Sequence, residues 1–533
     1  MVSWGCLKPN WPTWPKRAWS SNKTRPIAMA QNTSNTRYIL AIDQSTTSSS
    51  AIIFDREGRI VASANREITQ YHPEPGWVDH DPEEIFQSTL AVAHEAIAAA
   101  GIQPQKLAAI GVTNQRETTV IWDRITGEPV APAIVWQCRR TAQLCEELKL
   151  QGMEQVVRER TGLVIDAYFS ATKIRWLLDN ISGGQRRAEA GELCAGTIDS
   201  WLLYRLTGGK VHATDVTNAS RTMLFNIHNQ EWDSDLLAKL NIPLRLLPEV
   251  RPSSGMFGET DAEFFGAAVP ITCLIGDQSA ALFGQACFQP GMVKNTYGTG
   301  SFLVMQTGDQ PVPPPPGLLT TVGWQRHGQQ TQYALEGSIF ITGAAIQWLR
   351  DGLGIIKNAA ETSEIAQSVA DTGGMYFVPA FAGLGAPHWD MYARGTMVGL
   401  TGGTSKAHIV RATMEAIAYQ VRDVLEVIRS SSQLEITLLQ ADGGGSANPF
   451  LMQFQADLIG LPVEVPEIAE TTAQGAAHLA GLAVGFWDNQ LELSEQRKLS
   501  ARYEPKITRE EADKLYAGWQ RAMERARDWE TPT

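Results

Sequence analysis

Twice in this chain, half its length apart, an apolar run breaks into a short turn of small or hydroxylated residues and then resumes. Residues 37–43 (RYILAID) read as a buried strand, 44–50 as a polar turn and 51–55 as a returning strand. Residues 293–296, 298–301 and 302–306 repeat that order. A spacing this long is no solenoid period; it predicts two similar lobes with a cleft between them, one small-residue turn from each facing in. Size points the same way, because 533 residues exceed the ~250–300 at which a single core stops growing.

Elements alternate between those marks. Asp81-Pro82-Glu83-Glu84 is a helix start, with Asp as N-cap, Pro in the first turn and acids behind it. Ile85, Leu90, Ala93 and Ile97 follow at helical spacing, and Gly101 ends the run. Residues 107–113 and 119–123 read as strands around the polar Asn114-Gln115-Arg116-Glu117, and the whole predicts layered α/β domains. The 311–316 run, rich in proline, reads as an exposed loop inside the second lobe.

A formal charge of −12 argues against broad binding to nucleic acid or anionic membrane. No stretch reaches the ~18 uninterrupted apolar residues of a membrane span. Six scattered cysteines without a C-x-x-C fit a reducing, cytoplasmic compartment better than a disulfide framework or zinc site. The first 36 residues stand apart: four tryptophans fall within the first 19, and no acid precedes Asp43. They read as a poorly ordered extension, or as a start placed too early with Met29 the true one; a transit peptide is the alternative.

The chemistry-bearing turns lie at strand ends. Asp43-Gln44-Ser45-Thr46-Thr47-Ser48 offers backbone N–H groups and hydroxyls to an anion. Asp43 is placed to hold Mg²⁺ through water, since that ion keeps most of its hydration shell. The alternative is a Ser/Thr turn that bonds only itself. Gly298-Thr299-Gly300-Ser301 is a second such turn, and Gly443-Gly444-Gly445-Ser446 a third, between a strand at 438–442 and a helix from Pro449. Three glycines there admit a flat ligand against backbone, with Asn448 donating to it, or else simply make a tight crossover. Asp277, between a strand at 271–275 and a small-residue helix at 280–287, is placed to take a proton from a bound hydroxyl. Adjacent Arg116 and Glu117 suit a polyhydroxyl ligand by donating and accepting together; an N-cap and a surface ion pair are the plainer readings of these two places. There is no P-loop motif, no Rossmann fingerprint and no hydrolase triad or H-E-x-x-H helix.

Taken in order, residues 43–47, 113–117, 276–278, 298–300 and 442–448 resemble the ATPase motifs and sugar site of the FGGY carbohydrate kinases. Residues 168–180 and 395–415 resemble the two long signatures of that family, and the likeness runs from about residue 37 to about 525. Within the family, residues 114–119, Trp136 and Asp166-Ala167-Tyr168 are similar to the members acting on glycerol. The resemblance implies two actin-like (ribonuclease-H-like) ATPase lobes, residues 37–286 and 287–533, with the active site in the cleft. The activity implied is ATP-dependent phosphorylation of glycerol to sn-glycerol 3-phosphate, the entry step of glycerol catabolism. It also implies roles. Arg116, Glu117, Tyr168, Asp277 and Gln278 would hold glycerol, Trp136 and Phe302 would pack on its carbons, and Asp277 would be the base. Thr46, Thr47, Ser48, Thr299, Gly343, Gln347, Gly444 and Asn448 would contact the nucleotide, and Asp43 would hold Mg²⁺ through water. A homodimer or homotetramer is left open, as are a kinase for another polyol or ketose such as xylulose and a non-catalytic nucleotide-binding regulator.

The chain departs from the family in two places, with Ser45 where Gly is common and Ser50 where Arg is common, which removes a cation near the phosphates. It departs in a third before Asp277. Some bacterial members bind fructose 1,6-bisphosphate on a Gly-Gly-x-Gly-Gly-x-Arg loop, and others are phosphorylated on a His there. Residues 258–268 here carry three acids and neither Arg nor His.

Overall fold

The computed structural model describes residues 37–431 and 434–530; the extension expected over 1–36, with Met29, lies outside them. Six strands form the first sheet: β1 (Tyr38–Gln44), β2 (Ser48–Phe54), β3 (Ile60–Glu67), β4 (Leu107–Asn114), β5 (Ser254–Glu259) and β6 (Pro270–Gly276), in the order β5-β6-β4-β1-β2-β3. β1 to β3 form an antiparallel meander, while β4 runs parallel to β1 and β6 parallel to β4. The second sheet contains β7 (Val293–Tyr297), β8 (Ser301–Gly308), β9 (Leu319–Trp324), β10 (Gln332–Ile339), β11 (Leu439–Asp442), β12 (Val463–Pro466) and β13 (Leu499–Tyr503). Its order is β9-β10-β8-β7-β11-β12-β13, with β11 parallel to β7 and β12 parallel to β11.

Set side by side, β3-β2-β1-β4-β6-β5 corresponds to β10-β8-β7-β11-β12-β13, with β9 added at one edge. The echo read at two turns is therefore a repeat of the whole sheet. β1 is apolar through its middle because both its faces are covered: Ile39, Leu40, Ala41 and Ile42 are all fully buried.

Five helices matter for the site: α1 (Pro82–Ala100), α2 (Asp277–Gly284), α3 (Gly343–Asp351), α4 (Pro449–Ile459) and α5 (Thr471–Ala483). α1 starts and stops as its caps dictate, the Asp81 side chain accepting from Glu83 N and Gly101 closing it at φ 65°. α2 and α5 cross backbone to backbone. A Cβ on Gly475 would stand 1.9 Å from Ala280 O, and one on Gly284 would stand 2.0 Å from Thr471 O. α5, although late in the chain, lies on the first sheet, where a Cβ on Gly111 would meet Ala476 O at 2.4 Å. Leu282 and Phe283 of α2 share one core with Val304, Trp324 and Ala334 of the second sheet. The two sheets are thus joined through a crossed helix pair rather than by a loose linker. None of the described helices is long and apolar enough to cross a membrane.

Three local readings differ. The first turn is shorter than 44–50, because Ser48-Ser49-Ser50 extend β2: Ser50 faces Asn65 of β3 and accepts from its Nδ2 at 2.7 Å. Cross-strand pairing outweighs the weak strand preference of serine. The helix expected at 280–287 starts at Asp277 and ends at Gly284. The proline loop is not simply exposed: Pro315 is buried, and Pro314 O accepts from Arg158 Nη2 at 2.7 Å.

Candidate functional site

Parallel strands deliver their carboxyl ends to one side of a sheet, and ligands bind there. Gln44, Asn114 and Gly276 occupy one row of the first sheet, so the turns that follow β1, β4 and β6 emerge together. Arg116 and Glu117, 3% and 1% exposed, are no surface pair. Arg116 Nε lies 3.1 Å from Asp277 Oδ1, and its Nη1 and Nη2 donate to Glu336 Oε2 and Oε1 at 2.7 and 2.9 Å. Glu117 Oε1 accepts from Arg221 Nε at 2.5 Å, and Arg221 Nη2 reaches 3.1 Å from Glu336 Oε1. Burial opposes the charge on Glu336, but Arg116 and Arg221 outweigh it and hold the carboxyl down to about 2. For Glu117 burial wins over Arg221 and Arg116, and its carboxyl is raised.

Local geometry fixes these groups. Glu117 adopts φ 58°, closed by Thr118 N donating to Arg116 O at 2.6 Å; such a conformation costs of order 1–3 kcal/mol and persists where its surroundings enforce it. Here the Glu117 carbonyl accepts from Ser170 Oγ and Thr119 Oγ1, each at 3.0 Å. The stem of Arg116 rests on Gly276, where a Cβ would stand 2.7 Å from its Cγ and Cδ. Asp277 opens α2 behind the N-cap Gly276, and its Oδ1 also accepts from Gln278 N at 2.7 Å. Its side chain is 30% exposed, and no described residue donates to Oδ2.

Three aromatic rings stand beside these charges. Trp136 meets Tyr168 edge-on at 5.5 Å and Phe302, from the second sheet, at 6.4 Å. The Arg221 guanidinium lies 5.4 Å from the Tyr168 ring centre. Charged groups on one side and ring faces on the other suit a small molecule with hydroxyls and a carbon backbone. Gln278 Oε1 accepts from the buried Lys294 Nζ, also of the second sheet. Burial lowers Lys294 to about 8, against the pull of Asp442, Glu336 and Asp277.

Asp43, next to last in β1, has its Oδ1 enclosed and without a hydrogen-bond partner among the described residues. Burial first, then the nearby charges of Asp277 and Glu470, raise its carboxyl to about 8. An orphaned carboxylate oxygen among acids is the environment a divalent cation relieves. In the turn beyond it, Thr46 Oγ1 accepts from Trp136 Nε1 at 2.9 Å, Ser48 Oγ accepts from Asn65 Nδ2 at 3.1 Å, and Thr47 is exposed.

The second sheet offers small-residue turns. Gly343 N donates to Gly298 O at 3.0 Å and Ala344 N to Thr299 O at 3.1 Å, so the turn after β7 sits on the start of α3, with Gln347 exposed further along. Gly444 faces open space, a Cβ there meeting nothing within 4 Å. Asn448 is engaged differently from the expected donor role: its side chain caps α4 by accepting from Leu451 N at 3.1 Å, while Nδ2 donates to Thr362 Oγ1 at 2.9 Å.

Sequence reading missed Arg221, Glu336 and Lys294. The last two carry a signal: each is the one charged residue in an otherwise uncharged strand, YALEGSI and VKNTY. Such a charge must find a buried partner.

Residues 38–284 match the N-terminal domain of the FGGY family of carbohydrate kinases and residues 293–484 its C-terminal domain. The chain is 58% identical to a glycerol kinase of Caldanaerobacter subterraneus over 92% of its own length and 99% of the relative's. It is 60% identical to one of Carboxydothermus hydrogenoformans over 93% and 99%. Among solved structures, a Plasmodium falciparum glycerol kinase with ADP superposes with a TM-score of 0.87 at 38% identity, over 92% of this chain and 98% of that one.

Proposed function

Because the chain belongs to the FGGY family of carbohydrate kinases, we propose that it transfers the γ-phosphoryl group of ATP to glycerol. The activity follows from relatives matched almost end to end; the roles of individual residues are our reading of the geometry. Residues 37–286 form the glycerol and phosphate lobe in this reading, and residues 287–533 the nucleotide lobe.

The observation that carries it is Asp277. One oxygen is held by Arg116 and Gln278 N while the other meets no donor among the described residues, beside a ring wall and the Arg116–Glu117 turn. Glycerol lies with its carbons on Trp136 and Phe302 and its hydroxyls on Arg116, Glu117, Tyr168 and Gln278. The terminal hydroxyl gives its proton to Asp277 Oδ2 as its oxygen bonds to the γ-phosphorus. The bond from that phosphorus to the β,γ-bridging oxygen breaks, and ADP departs. Phosphoryl transfer asks for positioning and charge neutralisation more than covalent help, and one base with ordered turns supplies that. Thr46, Thr47 and Ser48 meet the phosphates from one lobe; Thr299, Gly343, Gln347, Gly444 and Asn448 meet the nucleotide from the other. Asp43 would hold Mg²⁺ through water, and that ion would neutralise phosphate charge. We place the protein in the cytoplasm, where its five described cysteines, all free and buried, would stay reduced.

The test is ADP release over a panel of glycerol, xylulose and ribulose. Glycerol is expected to be the best substrate, and Glu117→Ala to lower its kcat/KM by roughly 5–150-fold, the worth of an unsatisfied buried polar group. Faster turnover of xylulose or ribulose by the unmutated chain would overturn the assignment.

A further inference from the structure

The groups assigned to the polyol lie within residues 37–286, apart from Phe302, yet residues beyond 287 hold two of them from behind. Glu336 lies in the middle of β10 and Lys294 in β7, each registered to Val304 of β8 between them, so the two side chains share one face of the second sheet. Lys294 donates to Gln278 Oε1 and, at 2.8 Å, to Thr296 Oγ1. Glu336, 1% exposed, takes both terminal nitrogens of Arg116 and lies within ion-pair distance of Arg221. Asp277, Arg116, Glu336, Arg221 and Glu117 therefore form an unbroken chain of alternating charge, in which the central member alone comes from the second sheet.

The alternation matters because the two arginines repel each other: Arg116 opposes the charge on Arg221, and Glu336 offsets it. Arg116 has three anionic neighbours, Glu336, Glu117 and Asp277. Removal of Glu336 would leave the Arg116 fork free to turn toward Asp277, the carboxylate that must stay open to the ligand. It would also loosen Arg221, and with it the Glu117 carboxylate.

We propose that Glu336 is a positioning residue of the polyol site supplied by the opposite lobe, fixing Arg116 directly and Glu117 through Arg221, so that hydroxyl selectivity exists only while the second sheet is seated. The inference rests on the reading of Asp277, Arg116 and Glu117 as the glycerol site. A bidentate carboxylate–guanidinium pair fixes direction as well as distance, which a neutral or shorter side chain cannot reproduce.

The experiment uses the full chain with Glu336→Gln and Glu336→Asp. Four quantities are read: KM for glycerol, KM for ATP, melting temperature, and selectivity for glycerol over 1,3-propanediol, which lacks the middle hydroxyl. In both variants the glycerol KM should rise roughly tenfold or more and the selectivity fall by a similar factor, with Glu336→Asp the milder. The ATP KM should stay within about twofold, since nothing in the charge chain touches the glycine turns. Unchanged glycerol KM and selectivity would overturn the proposal. So would equal losses for glycerol, propanediol and ATP with a lowered melting temperature, which would mark Glu336 as structural only. Failure of both variants to fold would count the same way. If the unmutated chain releases no ADP with glycerol, the substrate reading fails instead.

Discussion

The turn after β1 and the turn after β7 occupy equivalent places in the two sheets, yet they are held differently. The first closes on itself: Ser45 N donates to Ser48 O at 2.9 Å, and Ser45 Oγ bonds the same oxygen at 3.0 Å. The second closes too, Gly298 N donating to Gly300 O at 2.8 Å, but it also leans on a helix, with Thr342 N and Gly343 N donating to its carbonyls at 3.0 Å. A side chain at Gly300 would stand 2.4 Å from Ile339 O, so glycine is forced there, whereas Ser45 has room to take the usual glycine's place. The contrast repeats one strand further on, where β4 leads into a turn with Arg116 and Glu117 and β11 into Gly443-Gly444-Gly445. One frame has specialised twice. In the proposed reading the charged ends would bind hydroxyls one by one, and the glycine ends would let a large, flat ligand approach backbone.

That division predicts which half each substitution should damage. Asp277→Asn strikes the chemistry of the first sheet alone. We expect kcat to fall by roughly 10²–10⁴, the usual worth of a positioned base, with ATP affinity unchanged by calorimetric titration. Near-normal turnover would remove the base assignment.

A pair of glycines sharpens the same division. Gly276→Ala puts a methyl group against the near end of Arg116, the part of that side chain least able to move aside. Its kcat/KM for glycerol should drop roughly 10–100-fold, as expected when a catalytic constellation shifts by a fraction of an ångström. Gly444→Ala meets open space and should leave glycerol kinetics unchanged, altering ATP KM alone by no more than about threefold. Equal effects of the two on glycerol would erase the distinction between the sheets.

Much of this frame was legible beforehand because strand ends announce themselves. Residues 119–123 coincide with an observed strand, Asp81 and Gly101 cap the helix they bracket, and the repeated strand–turn–strand reports a repeated sheet. The turn residues Asp43, Arg116, Glu117 and Asp277 do gather at one edge. What stayed hidden depends on partners far along the chain. Serines 48–50 join a strand because β1 on one side and Asn65 of β3 on the other pair with them. Arg221 lies in an Ala-Ser stretch with nothing to single it out, and Glu336 gains its meaning from two arginines at 116 and 221. The packing of α5 on the first sheet is equally silent locally, since Ala- and Gly-rich helices fit many surfaces.

Acid should find the two regions unequal as well. Burial lowers His80 to about 4, His212 to about 4 and His478 to about 3, and all three lie in the first half or on α5 against its sheet. Each stays neutral in the fold while the unfolded chain takes up a proton near pH 6.5. The unfolded state therefore binds more protons, and stability falls as the pH drops below that value. Each group costs at most about 1.4 kcal/mol per pH unit. His478 stacks edge-on against Trp487 at 5.1 Å with neither ring nitrogen bonded, so His478→Leu removes the proton without removing a partner. Between pH 7.5 and 5.5 the variant should lose about 1 kcal/mol less stability than its parent in urea unfolding. Identical pH dependence would show that folding leaves proton uptake at His478 unchanged.

The smallest effect is expected at the stretch before Asp277, where some bacterial members bind a sugar bisphosphate and this chain carries acids instead. Residues 258–268 span the end of β5 and a one-turn helix at Ala262–Phe265. Asp261 caps that helix and pairs with Lys210 at 3.2 Å, so the neighbouring cation is already neutralised from within. Glu259 and Glu263 stand exposed on either side. A bisphosphate would find no guanidinium fork and would meet three carboxylates, a repulsion of about 1 kcal/mol per close pair even in water. Two glycines remain in the stretch, Gly258 at φ 152° and Gly266 at φ 71°, too few and too far apart for a run of backbone N–H groups to wrap a phosphate. Millimolar fructose 1,6-bisphosphate should therefore leave steady-state turnover unchanged at every glycerol concentration. The stretch also lacks a histidine for phosphoryl transfer from a partner. Clear saturable inhibition in that assay would overturn the reading.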